Sequence, residues 1–366
     1  MKEEHIDFGF TKRVFYNPEM HFCRSIFSLA VGAIRENLTL CDAFCASGIR
    51  GIRYAKENKN VAKTIFIDLD KEAFETTKKN ARKNKIKFEA RHGNFSRLVF
   101  DTTADFLEVD PFGSPAPYLY DAFRVFNQLK KGYLSATATD TAVLCGAREE
   151  ACMKNYQSKP LNNEFTHEIG LRILLKKIAE TAAEFNFGIE PLISLSDRHY
   201  LKVLVKLTRG ADLAYENFTK IGCINYCNSC GFRESIQFPE KTCKNCGKKI
   251  EYAGPLWLGE IHQKAFLEKM IKLNGKQNYQ HYEEIEKKLI LMLREIRMQP
   301  YYYNIHLLCK RLHVPIPKTE VFIELLHSQK FLAARTHFND ISIKTNAGIK
   351  ELEVSIQSMG KKLIRK

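Results

Sequence analysis

Short apolar runs alternate with amphipathic stretches along residues 1–210. Leu38–Phe44 (LTLCDAF), Thr64–Leu69 (TIFIDL), Lys87–Arg91, Ala104–Val109 (ADFLEV) and Gly132–Thr139 each read as a strand. Between them, Ile52–Asn58, Lys71–Lys83 and Ala116–Asn127 read as helices, and Glu19–Glu36 forms a further helix with Pro18 suited to its first turn. Strands that alternate with helices predict an α/β fold, a parallel sheet with helices on both faces. Glu164–Phe187 is a long helix whose Leu171, Leu174, Leu175 and Ile178 fall on one stripe. Ile189–Leu195 and Tyr200–Thr208 read as a hairpin that closes a first domain near Gly210.

The pattern changes beyond that point. Cys223–Tyr252 is short and rich in Cys, Gly and Lys. Helices follow at about Glu260–Leu273, His281–Met298, Asn304–His313 and Lys318–Gln329, then two short strands around Phe331–Arg335 and Ile341–Lys344. That order predicts a winged-helix-like end, followed by a basic, partly helical segment, Lys350–Lys366. The chain of 366 residues therefore divides into a domain over 1–210 and a C-terminal α+β domain over 211–366, with a cysteine module at 223–252.

Composition narrows the partners. The net charge is +15, which suggests a polyanion, and nucleic acid before membrane, because no run has the length of a transmembrane helix. The N-terminus has no apolar signal-peptide core, so the 11 cysteines are read as reduced thiols in the cytoplasm. No obligate protein partner is evident. Tyr301-Tyr302-Tyr303, Lys310-Arg311, Lys361-Lys362 and Arg365-Lys366 interleave aromatic and basic residues, as base stacking and phosphate contacts would use. The plain alternative is an aromatic core beside a solvated helix face.

Three stretches carry candidate chemistry. Cys227-x2-Cys230 and Cys243-x2-Cys246 stand 12 residues apart, and four thiolates close a tetrahedral zinc shell with no open position, so the metal is structural. Asp42–Gly51 (DAFCASGIRG) is a small-residue turn between a strand and a helix, where backbone N–H groups can meet a cofactor. It lacks GxGxxG, and with Asp68 ending the next strand it suits S-adenosylmethionine, whose ribose takes a carboxylate. Asp110–Pro115 (DPFGSP) follows the fourth strand, and places a carboxylate and an aromatic ring, Phe112, where open sheets bind ligands.

These stretches resemble the tRNA guanine-26 N2-dimethyltransferase family, of archaeal type in length. The match is carried by Phe15–Met20 (FYNPEM), Asp42–Tyr54 (DAFCASGIRGIRY), Asp110–Pro117 (DPFGSPAP), Ala138–Gly146 (ATDTAVLCG), His167–Leu175 (HEIGLRILL), Gly254–Gly259 (GPLWLG) and the two CxxC pairs. The resemblance implies a class I, Rossmann-like methyltransferase domain using S-adenosyl-L-methionine, and a C-terminal tRNA-binding region. By position, Arg24 and Arg50 would serve the methionine end of the cofactor or its surroundings, with Asp42 beside them. Asp68 would hold the ribose, and Asn94 and Phe95 would flank the adenine. Asp110, Phe112 and Phe15 would form the guanine pocket, and Cys227, Cys230, Cys243 and Cys246 would bind zinc.

Two short stretches depart from the family pattern. Cys23-Arg24-Ser25 replaces Asn-Arg-Asp, and Asn94-Phe95 replaces Asp before a small residue. These losses motivate one alternative, a non-catalytic tRNA-binding zinc protein with a decayed cofactor site. Another is a methyltransferase for a different nucleobase amine, although such enzymes favour an Asp/Asn-Pro-Pro-aromatic turn and this chain has Asp110-Pro111-Phe112-Gly113.

Overall fold

Seven strands form the main sheet: β1 (Leu38–Asp42), β2 (Val61–Asp68), β3 (Phe88–His92), β4 (Phe106–Val109), β5 (Lys131–Ala138), β6 (Phe187–Asp197) and β7 (Tyr200–Arg209). The computed structural model describes residues 1–364. The sheet order is β3-β2-β1-β4-β5-β7-β6. Neighbours pair in parallel from β3 through β5, and β7 runs antiparallel to both β5 and β6. Crossover helices explain the parallel half. Ile49–Glu57 links β1 to β2, Lys71–Lys83 links β2 to β3, and Ala116–Val125 links β4 to β5. The order reverses beside β1, so β1 and β4 diverge in their connections and leave a crevice at their C-terminal ends.

The α/β expectation and the strand positions hold within a few residues. The long helix, Thr166–Glu184, differs from a one-stripe reading. Glu168 to Leu175 is buried without a break, because one side packs on β6 and the other on the strand Glu251–Trp257 of a second sheet. That second sheet has three strands, with Ile221–Tyr226 between Arg233–Ile236 and Glu251–Trp257. The winged-helix-like end consists of Ile305–Leu312, Thr319–Ser328 and the strands Ala333–Arg335 and Ser342–Thr345, closed by the helix Ile349–Ile364.

One apolar cluster runs from the main sheet through Leu171 and Leu175 to Trp257, Tyr302 and Ile343. Tyr301, Tyr302 and Tyr303 are all buried in it, so the aromatic triplet is core and offers no face to a nucleobase. The Arg233 guanidinium lies 4.1 Å from the Tyr303 ring centre and draws the triplet around a buried charge. Lys310 stays exposed, and Arg311 pairs with Glu353. Arg365 and Lys366 lie outside the described residues, as do the side chains of Lys361 and Lys362. Among the described residues no helix is long and apolar enough to cross a membrane.

Candidate active site and cysteine centre

Asp42 ends β1, Asp68 ends β2, Asn94 follows β3 and Asp110 follows β4. A parallel sheet puts all four at one edge. The turn after β1 is held open there by its backbone. Gly48 has φ +76°, and a Cβ on it would come within 2.8 Å of the Thr77 side chain. Asp68 pins this turn, since Oδ2 accepts from Ala46 N at 2.8 Å and Oδ1 from Asp70 N at 2.9 Å. Asp42 Oδ2 accepts from Gly51 N at 3.2 Å, near the N-terminus of the helix Ile49–Glu57. Burial, and then the nearby Glu108 carboxylate, push the Asp42 carboxyl up to about 7.

The Asp110 turn is built differently. Gly113 has φ +79° with open space about it, so the glycine is needed for its backbone angle and not for close packing. Thr139, at the end of β5, ties the turn down: its Oγ1 accepts from Gly113 N at 2.9 Å, and its N donates to Gly113 O at 2.9 Å. Phe112 is 77% exposed and Phe15 52% exposed, unusual for rings of this size. They meet edge to face, centres 4.8 Å apart at 84°. Asp110 accepts an ion pair from Arg50. Burial would raise its carboxyl, but the charges of Arg50 and then Lys202 outweigh that and hold it below the usual carboxylate range.

All nine residues nominated for catalysis and the cofactor border one cavity of about 620 Å³: Phe15, Arg24, Asp42, Arg50, Asp68, Asn94, Phe95, Asp110 and Phe112. That volume is in the range of ligand pockets. Within it, Phe95 is buried against Phe44, while Asn94 faces the cavity beside Gly93. The two arginines are already engaged. Arg50 reaches Asp110, and Arg24 forms a fork with Glu3, Nε to Oε1 at 2.7 Å and Nη2 to Oε2 at 2.5 Å.

Several contributors escaped the sequence reading. Phe44 and Tyr118 pack at 4.7 Å beside Phe95 on the wall of the cavity; Phe44 read as the end of a strand and Tyr118 as an ordinary helix residue. Glu108 sits inside the apolar run ADFLEV, yet it is fully buried with Lys202, whose Nζ also donates to Thr137 Oγ1 at 2.8 Å. A charge in an otherwise apolar strand was the available signal, since such a charge needs a buried partner.

The cysteine module folds as two matching turns. Gly231 N donates to Cys227 O at 2.8 Å and Gly247 N to Cys243 O at 2.9 Å, with φ +72° and +71° at the two glycines. The four thiols, Cys227, Cys230, Cys243 and Cys246, come within 4.8 Å of one another, and two of the pairs stand at 3.6 Å. A tetrahedron of about 2.3 Å metal–sulfur bonds has edges of about 3.8 Å, so this donor set fits a four-thiolate shell. Cys223 is buried beside Gly254 and lies outside the group.

Comparison with known proteins agrees with this geometry. The model of the family "N2,N2-dimethylguanosine tRNA methyltransferase" matches residues 1–357. A tRNA (guanine(26)-N(2))-dimethyltransferase from Methanosarcina acetivorans is 37% identical, covering 94% of this chain and 92% of the relative. Another from Methanobrevibacter smithii is 34% identical over the same shares. The structure of Trm1 from Pyrococcus horikoshii in complex with S-adenosyl-L-methionine superposes with a TM-score of 0.89 at 30% identity, covering 97% of this chain and 99% of that one. With more than nine-tenths of its length matched in sequence and in fold, the chain belongs to the N2,N2-dimethylguanosine tRNA methyltransferase family.

Proposed function

We infer that this chain transfers methyl groups from S-adenosyl-L-methionine to the exocyclic N2 of guanine 26 in tRNA, giving N2,N2-dimethylguanine. The observation that carries the reading is the single cavity bordered by the strand-end carboxylates and, at its mouth, by Asp110 with two exposed phenylalanines. The cofactor brings a methyl group already activated on a sulfonium. The protein's part is position and charge, because the lone pair of an aryl amine is delocalised and attacks poorly.

Asp68 offers both carboxylate oxygens toward the ribose while the backbone of the turn fixes its orientation. Asn94 can accept from the adenine amine through its carbonyl, between the rings of Phe95, Phe44 and Tyr118. Asp110 accepts an N2 hydrogen bond and takes the proton as the N–C bond forms. The guanine, drawn out of its helical stack, lies against Phe112 and Phe15. A base held between the two rings needs about 7 Å, two contacts of about 3.5 Å, so Phe112 swings away from its edge-to-face contact as the base enters. Once the first methyl is on, the remaining N2 proton turns to Asp110 and the same contacts serve the second transfer.

The cysteine module supports a structural zinc ion held by Cys227, Cys230, Cys243 and Cys246, with all four positions filled by thiolate. Residues 1–210 then act on the base, and 211–366 grip the tRNA by shape and phosphate. The enzyme works in the cytoplasm, where its substrate is.

Incubating the purified protein with S-adenosylmethionine and a tRNA transcript, then mapping modified guanines by nuclease digestion and mass spectrometry, tests the reading. Dimethylguanine is expected at position 26, and none in a transcript with that guanine replaced. Asp110→Ala and Asp110→Asn should abolish transfer and leave tRNA binding largely intact. Near-normal turnover in either overturns the role of Asp110. Absence of any S-adenosylmethionine binding would select the non-catalytic alternative.

A further inference from the structure

Besides its bonds to Thr139, the Asp110 turn is tied at Ser114. The tip of the turn packs on little: Phe112 is mostly exposed, and a Cβ on Gly113 would meet no atom within 4 Å. Ser114 Oγ accepts from Ala116 N at 3.2 Å and lies 2.7 Å from the Tyr156 hydroxyl. That hydroxyl stands 3.0 and 3.1 Å from the two carboxylate oxygens of Asp140. The partners fix the direction of the chain. A carboxylate only accepts, so Tyr156 donates to Asp140, and Ser114 donates to Tyr156. Three elements meet here: the turn after β4, the segment after β5, and the last residue of the helix Glu149–Tyr156. Tyr156 is itself held on several sides. Its ring is fully buried in the main apolar cluster. Lys176 Nζ donates to its carbonyl at 3.1 Å, and Ser158 Oγ donates to Pro255 O at 2.7 Å. Lys159 and Gly254 exchange two backbone bonds of 2.8 Å, which joins this segment to the three-stranded sheet.

We propose that Tyr156 is a positioning residue for the guanine pocket: its hydroxyl, held by Asp140, receives Ser114 and fixes the backbone of the turn that carries Asp110 and Phe112. The proposal rests on the assignment of that turn to the target guanine. A fixed backbone lets the Phe112 ring swing as the base enters while Asp110 keeps its place. The demand is greatest in the second methyl transfer. Guanine presents two N2 protons, and either can face Asp110. Monomethylguanine presents one, and its methyl group must take the other place. A loosened turn therefore slows the second transfer more than the first, and monomethylguanine leaves the enzyme.

Tyr156→Phe keeps the ring and its burial and removes only the hydroxyl. The full chain is assayed with S-adenosylmethionine and a tRNA transcript, and mono- and dimethylguanine are separated by mass spectrometry. In Tyr156→Phe kcat should fall at least about fivefold, with KM for tRNA and affinity for S-adenosylhomocysteine within about twofold of wild type. Monomethylguanine should accumulate at position 26. Ser114→Ala should act likewise, and the double variant should lose little more than either alone, because both cut one chain of bonds. Asp140→Asn keeps an acceptor for the tyrosine hydroxyl and should retain more turnover than Asp140→Ala. Should Tyr156→Phe fail to fold, Ser114→Ala and the Asp140 pair carry the test. A smaller fall in kcat, a loss carried by KM, or a wild-type ratio of mono- to dimethylguanine overturns the proposal and leaves Tyr156 a core residue. Full turnover by Asp110→Asn is the separate result that removes the assignment beneath it, whatever Tyr156 does.

Discussion

Glu3 lies buried between two guanidiniums. Its Oε1 accepts from Arg24 Nε at 2.7 Å and from Arg53 Nη1 at 3.0 Å, and its Oε2 accepts from Tyr16 OH at 2.9 Å. Arg53 then reaches Glu57 at 2.6 Å and Ser25 Oγ at 3.0 Å. Ser25 stands where the family pattern has Asp, and a carboxylate from the chain's N-terminus supplies charge to Arg24. Burial would raise the Glu3 carboxyl, but the hydrogen bonds and charges of Arg24, then the charge of Arg53, bring it down to about 2. A depressed folded value means a contribution to stability that is full above the unfolded value near 4.5 and fades as pH falls toward 2. Glu3→Gln leaves two buried cations short of a partner and should cost about 3–5 kcal/mol at pH 7. Urea unfolding of both proteins across pH 5 to 3 checks it: the gap between them should narrow as pH falls, and a constant gap would assign the loss to packing. The strand-end carboxylates were legible because each follows an apolar run that fixes its place. Glu3 was not, because its partners stand 21 and 50 residues away and nothing local marks it as buried.

The cysteine module is the element in which sequence spacing and geometry say most nearly the same thing. Two residues between cysteines, a following glycine with positive φ, and a repeated five-residue turn bring all four thiols to one point. Apart from the cysteines themselves, the apolar cluster here is small, Ile250 with the half-buried Phe232 against it, so a bound metal would supply much of the segment's order. Metal removal by a strong chelator, or Cys227→Ser, should lower the melting temperature by at least a few degrees, at about 2–4 °C per kcal/mol lost, and weaken tRNA binding. Cobalt reconstitution should give the absorption of a tetrahedral thiolate site. A chelator-treated protein with an unchanged melting curve would remove the metal from the picture. The strands were legible for a similar reason, since apolar runs end at Gly, Pro or Asp. The helix Thr166–Glu184 was only half legible. Periodicity finds one buried stripe, and the second buried side comes from a sheet formed by residues 221–257, which no local window includes.

At the scale of the whole molecule, composition divides the chain near Gly210, while the packing crosses that point everywhere. Arg172 Nη1 donates to Trp257 O and Gly259 O, each at 2.9 Å, and Glu168 accepts from Lys344 Nζ at 2.6 Å with no exposure of its side chain. On the far side of the sheet, the helix His21–Ala33 packs against Lys264–Asn274, and Tyr279 OH donates to Glu57 at 2.6 Å, two bonds from Glu3. The second part therefore supplies one wall of the first part's core and caps the charge network that orders Arg24. Burying both apolar sides of a central helix is worth far more than the few surface pairs that link loosely tethered domains. The two parts should melt together. Calorimetry and circular dichroism on the full chain should give one coincident transition, and a fragment of residues 1–210 should be expanded, bind a hydrophobic dye and lack a sharp transition. A soluble 1–210 fragment that unfolds cooperatively and binds S-adenosylhomocysteine as the full chain does would show that base chemistry and tRNA grip are separable units. If the fragment fails as expected, the C-terminal part shapes the active site, and substitutions in the 166–184 interface should then lower cofactor affinity without touching the cavity.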